Sequence, residues 1–224
     1  MSYDDDLPIG NFEERIPFIL LLDVSGSMAG APIEALAKGL PLVKSELDSD
    51  AKARLSVEVA IVTFAGDARQ LCDFVTVNNF APPHTLQTEG GGTNLVAGLT
   101  KCLDILDLRI RHYKNTGTSF KGPWLWLMTD GQVSDSPELD DVRQRAKSMI
   151  ESKHRLNFFT IAINEEAMSS LVKLNLSPNH PVQIDGLKFT QMFKWISVQL
   201  TKISHSQKGD KISLDKPSEW AADV

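Results

Sequence analysis

At 224 residues, with 42% hydrophobic and 23% charged residues, the chain has the length and apolar content for one sizeable α/β domain and too little length for two ordinary ones. Its 29 acids against 23 bases give a formal charge of −6, a field that repels phosphate backbones, so nucleic acid is not an expected partner. No apolar run approaches the roughly 18 residues of a membrane span, and the opening MSYDDDLPIG is acidic where a secretory leader would be basic and then apolar; the expectation is a soluble, cytoplasmic protein without a membrane span.

After an N-terminal extension, residues 1–14, the run PFILLLD (17–23) is continuously apolar, as a central strand covered on both faces requires. It leads into VSGSM, so Asp23, Ser25 and Ser27 place three small oxygen-bearing side chains at alternate positions directly after the strand. Residues 32–48 carry Ile33, Leu36, Leu40, Val43 and Leu47 at helical spacing, with Pro32 in the first turn and Pro41 as an internal defect that demands a kink. LSVEVAIVTF (55–64) and RQLCDFVTV (69–77), separated by the turn-like Ala65-Gly66-Asp67, predict a hairpin and hence one antiparallel edge strand.

A loop rich in Pro and Gly (81–92) leads into a helix expected from Thr93 to Tyr113. PWLWLMTDG (123–131) reads as a buried strand ending in Asp130, followed by a helix from Pro137 to Ser152, a strand NFFTIAI (157–163), a short helix from Glu166 to Leu174, a strand PVQID (181–185) and a last helix from Phe189 to Ser204. Repeated strand–helix units with short connections predict a doubly wound, mostly parallel central sheet of about six strands with helices on both faces, over residues 15–204. Residues 205–224 lack periodicity and read as a polar tail with an apolar handle at Trp220. Cys72 and Cys102 read as reduced packing residues, Trp124, Trp126, Phe158, Phe159 and Trp195 as core, and His84 as a solvent-facing loop residue.

In an open parallel sheet, ligands bind outside the carboxyl ends of the strands. Three segments converge on that edge: Asp23, Ser25 and Ser27 after the first strand, Thr93 after the glycines, and Asp130 at the end of LWLMTD. All five side chains offer hard oxygen and none offers sulfur or imidazole, a set that suits Mg²⁺, Mn²⁺ or Ca²⁺ and argues against zinc. Rival readings fail on specific residues. An EF-hand loop would need Gly where Met28 stands, a Walker loop would need Gly-Lys-Ser/Thr after the glycines, and an aspartyl phosphatase would need a second Asp where Ser25 stands. Two classes remain: a metal-dependent interaction module, and a metal-dependent, phosphatase-like hydrolase using a metal-bound water. The lack of a paired acid and base beyond the ligands themselves favours the first.

The pattern Asp23-x-Ser25-x-Ser27 with a distant Thr93 and a distant Asp130 resembles the metal-ion-dependent adhesion site (MIDAS) of von Willebrand factor A domains, a likeness that covers Arg15 to Ser204. The resemblance implies a vWA/Rossmann-like fold. It also implies that the serines and usually Thr93 touch the metal, that the acids act directly or through water, and that a protein partner donates an Asp or Glu carboxylate. PFILLLDVSGSM, FAPP before a Gly-rich loop, and GPWLWLMTDG further resemble the bacterial tellurium-resistance TerY group, which would imply a stress-linked system with a kinase or phosphatase as partner. The chain departs from that group at Gly122 and in GGGTN.

Overall fold

The computed structural model describes residues 11–131, 136–153, 155–176, 181–207, 210 and 213–222. The acidic Asp4-Asp5-Asp6 lies outside the described residues. Six strands form one sheet in the order β3-β2-β1-β4-β5-β6. They are β1 Ile16–Asp23, β2 Val57–Phe64, β3 Ala68–Thr76, β4 Trp124–Thr129, β5 Asn157–Ala162 and β6 Val182–Gln183. All neighbours run parallel except β3, which pairs antiparallel with β2, as the hairpin signal predicts.

Every residue of β1 is buried, because β1 lies between β2 and β4 and both its faces are covered. Alternation sorts its side chains: Phe18, Leu20 and Leu22 enter the core under α1 (Ala31–Asp48) and α6 (Phe189–His205). Ile19 and Leu21 enter the opposite core under α3 (Leu95–Thr116), α4 (Pro137–Glu151) and α5 (Glu165–Leu174). Trp124 and Trp126 belong to the first core and Phe158 to the second; Phe159, half-buried, stacks on both tryptophans. Both cysteines are free, Cys102 buried and Cys72 half-buried.

Pro41 sits inside α1, which runs on to Asp48 although its ring removes one backbone donor. Burial of Leu36, Leu40, Val43 and Leu47 carries the helix through. Gly39 permits the close approach of α1 and α6: a Cβ there would lie 2.4 Å from Phe193 Cδ2. The strand expected from residue 55 begins instead at Val57, because Asp50 caps a short helix, α2 (Ala51–Ser56), by accepting the amides of Lys52 and Ala53 at 3.0 and 2.8 Å.

The tail is docked. After α6 it returns so that Ala221 bridges antiparallel to Ile184 beside β6, with the Asp185 amide on the Trp220 carbonyl at 2.8 Å and the Ala222 amide on that of Gln183 at 2.9 Å. Trp220 is buried edge-on against Trp195, and Asp215 pairs with Lys202.

Candidate metal centre

β1 and β4 end side by side at the carboxyl edge, where the register pairs Leu22 with Met128 and so sets Asp23 level with Thr129. Asp23 has no exposed surface. Its Oδ1 accepts the Ser25 amide at 2.8 Å, and its Oδ2 accepts the Thr129 hydroxyl. Burial pushes the Asp23 carboxyl above its ordinary range; hydrogen bonds from Thr129 and Ser25 work against this, and the charge of Asp130 adds to it. A buried carboxylate in this state gains from any cation that reaches it.

Past the strand, a single 3-10 turn at Gly26–Met28 folds the serines back over the strand end. The Ser25 and Ser27 hydroxyls lie 3.1 Å apart, and Ser27 Oγ donates to Asp130 Oδ1 at 2.8 Å. Ser25 is buried, Asp130 nearly so, and Ser27 exposed, so the row of oxygens runs from the sheet to solvent. Asn164, after β5, donates its side-chain amide to the Asp130 carbonyl at 2.9 Å and caps α5 through the Ala167 amide.

Thr93 arrives by a loop stitched to the hairpin turn. The Glu89 amide donates to the Val24 carbonyl at 2.7 Å, and the Asn94 amide to the Ala65 carbonyl at 2.6 Å. Gly91, at φ 102°, packs on Gly66 so closely that a Cβ on Gly66 would lie 3.0 Å from the Gly91 Cα. The glycines therefore serve an approach of two backbones at the rim of the site. α3 starts at Leu95 rather than Thr93, because Asn94 is its cap, accepting the Ala97 amide at 3.0 Å. This frees Thr93 to lie against the loop after Asp130, where a Cβ added to Gly131 would stand 2.8 Å from Thr93 Oγ1.

The structure thus gathers Asp23, Ser25, Ser27, Thr93 and Asp130 at one edge. Oxygens that are neighbours around Mg²⁺ at 2.0–2.1 Å stand about 2.9 Å from one another. The Ser25–Ser27 and Ser27–Asp130 hydrogen bonds of 3.1 and 2.8 Å already hold these oxygens near that spacing, and the all-oxygen donor set is of the hard kind that a divalent cation such as Mg²⁺ takes. Among the described residues no three His, Cys, Asp or Glu side chains cluster as metal ligands, so a site here depends on the hydroxyls. Sequence reasoning missed the supporting residues Thr129, Asn164 and Asn94. The signal for Thr129 is its place one residue before Asp130 in a parallel neighbour of β1; Asn94 and Asn164 stand where helix caps are expected.

Among the described residues no helix is long and apolar enough to cross a membrane. A von Willebrand factor A domain-containing protein of Dictyostelium discoideum is 23% identical over 208 residues, 92% of this chain; the chain spans only 21% of that relative's length. In fold the chain is similar to the vWF domain of a type V pili tip protein from Porphyromonas gingivalis (TM-score 0.59, 15% identity, 89% of this chain and 99% of that one). It is also similar to the pilus adhesin SpaC of Lactobacillus rhamnosus GG (TM-score 0.65, 13% identity, 85% of this chain and 30% of that one). These relatives lend no support to the narrower likeness to tellurium-resistance proteins. The family profile of the von Willebrand factor type A domain matches residues 18–194, a stretch that takes in most of the first strand, all five oxygen donors and the start of the last helix, and the chain belongs to that family.

Proposed function

We propose that the chain is a metal-dependent protein-interaction module, holding one divalent cation, Mg²⁺ before Mn²⁺ or Ca²⁺, through Asp23, Ser25, Ser27, Thr93 and Asp130. The observation that supports it is the continuous row from Ser25 through Ser27 to Asp130 above the buried Asp23, with an exposed end at Ser27. Each residue has a separate task. Asp23, fixed by Thr129 and the Ser25 amide, supplies charge from beneath; Ser25, Ser27 and Thr93 supply neutral oxygens; Asp130, steadied through Asn164, supplies the second charge at the mouth. When bound, the cation supplies the positive charge that draws an Asp or Glu carboxylate of the partner.

The contacts around the set favour capture over hydrolysis, since Thr129 and Asn164 are neutral and already engaged with Asp23 and Asp130. A link to a stress or tellurium-resistance system, with a kinase or phosphatase as partner, rests on sequence likeness alone and orders the partners to screen. Calorimetry of the whole chain with Mg²⁺, Mn²⁺ and Ca²⁺ tests the site, and retention of a partner with Mg²⁺ against chelator tests the capture. No binding of any of the three at millimolar concentration would overturn the reading.

A further inference from the structure

The edge of the sheet opposite the oxygen set carries a second feature, a cleft of about 1030 Å³ at the starts of β4 and β5. Its apolar surface comes from the half-buried Phe159 and Leu214, with the buried Trp124 ring stacked on Phe159 at 5.0 Å between centroids. Three cations line it. Lys121 is engaged, donating to the Ile203 and Ser206 carbonyls and standing 3.8 Å from Glu14. Lys153 and Arg155 are exposed, and among the described residues neither has an ion-pair partner. In a chain of charge −6, two uncompensated cations beside stacked aromatic rings form a surface complementary to an acidic, partly apolar segment.

The chain carries such a segment. Residues 1–10, MSYDDDLPIG, lie outside the described structure and join it at Asn11, whose side chain donates to the Leu55 carbonyl and whose own carbonyl accepts from Arg15. Glu14 lines the cleft, and Arg15 bridges to Phe120 of its wall. Asn11 sits beside Leu55 at the approach to β2, and from β2 to β5 is three strand steps in the sheet, about 14 Å. Asp6 and Asp4 stand five and seven residues before Asn11, a reach of up to about 17 to 25 Å. Asp4 and Asp5 can therefore reach Lys153 and Arg155, Asp6 only near full extension, and Tyr3, Leu7 and Ile9 bring apolar surface to the same place.

We propose that the N-terminal acidic segment of the chain docks in this cleft in cis, with Asp4-Asp5-Asp6 against Lys153 and Arg155 and its apolar residues on Phe159 and Leu214. The contacts are exposed charges over a modest apolar floor, so the docking is weak and salt-sensitive. It is also independent of the metal centre at the other edge.

Zero-length carbodiimide cross-linking of the full chain at low salt, followed by peptide mapping of the monomer, tests this. The expected result is an amide from Asp4, Asp5 or Asp6 to Lys153 within one chain, at a yield at least several-fold above links to the exposed Lys38 and Lys147, and falling several-fold in about 1 M NaCl. Arg155→Gln keeps the reactive amine of Lys153 but removes one attracting charge, and should lower that yield about two- to fivefold without changing the melting temperature. Links spread evenly over Lys38, Lys147 and Lys153, links found only in a dimeric species, or a yield indifferent to salt and to Arg155→Gln would each overturn the proposal.

Discussion

Thr129 donates its hydroxyl hydrogen to Asp23 across the β1–β4 pair and accepts the Gly131 amide at 3.0 Å on the same oxygen. It thereby couples the buried acid to the loop that carries Asp130. Thr129→Val keeps the shape and removes both bonds, so it should fold, lose about 1–3 kcal/mol of stability and weaken divalent-cation binding about 10- to 100-fold. Denaturant melts and calorimetry check the two halves separately; unchanged metal affinity would mean that Asp23 needs no such support.

Thr93 and Asp130 differ in charge, and their removal should differ accordingly. Thr93→Ala takes away a neutral oxygen and should keep weak metal affinity while losing partner capture. Asp130→Ala also removes an anion and the acceptor of the Ser27 hydroxyl, and should lose metal and partner together. Both are read by calorimetry and by retention with and without chelator. Capture indifferent to both variants, with metal-dependent turnover lost in both, would replace the interaction reading with the hydrolase.

Gly39 in the middle of α1 invites replacement by Ala on helix propensity alone, a gain of about 1 kcal/mol. Here the added Cβ meets the fully buried ring of Phe193 at 2.4 Å. Overpacking of about 1–3 kcal/mol should win, so Gly39→Ala is expected to lower the urea midpoint.

Asp50 caps α2 and pairs with His205 at 2.9 Å. Partial burial works to raise its carboxyl pKa, but the Ala53 amide, His205 and the Lys52 amide outweigh it and hold the group below its ordinary 3.8. A depressed folded-state pKa means that the unfolded chain takes up the proton first, so the stabilisation is full above that ordinary value and lost as pH falls through the lower folded one. Urea midpoints of wild type and Asp50→Asn should differ at about pH 5 and converge as the pH drops below about 4.

Trp220 is the fully buried anchor of a tail that is also held by two backbone bonds at and after β6, by Asp215, and by the partly buried Leu214 and Ala221. Trp220→Ala should cost about 3 kcal/mol and expose residues 213–222 to protease before the rest of the domain. Equal cleavage rates in wild type and variant would show that the ring does not hold the tail.

The alternation of apolar runs with helical spacing was sufficient to derive a parallel α/β sheet, because strands covered on both faces cannot hide their composition. PFILLLD and PWLWLMTD are legible for that reason, and the hairpin is legible from Ala65-Gly66-Asp67. The five oxygen donors were legible too, since each follows a strand or precedes a helix at the edge where such sheets expose their loops. Local signals also mislead: Leu55 and Ser56 look like strand until Asp50 caps a helix over them.

Long-range partners were beyond the sequence. Glu58 reads as one polar residue in an alternating strand, yet it is wholly buried, taking hydrogen bonds from Arg109 and Tyr113 and standing 3.4 Å from Arg15. Arg109 and Tyr113 share a helical face four residues apart, but no local spacing connects them to Glu58 or Arg15. Likewise Thr129 becomes a support for Asp23 only through the β1–β4 register, and Trp220 becomes core only because the tail turns back onto β6. Composition and period determine which residues must be buried and which edge carries the loops, since those follow from backbone geometry along the chain. Which buried charge meets which, and which oxygens stand about 3 Å apart, depends on packing between segments distant in sequence, and only the tertiary structure decides it.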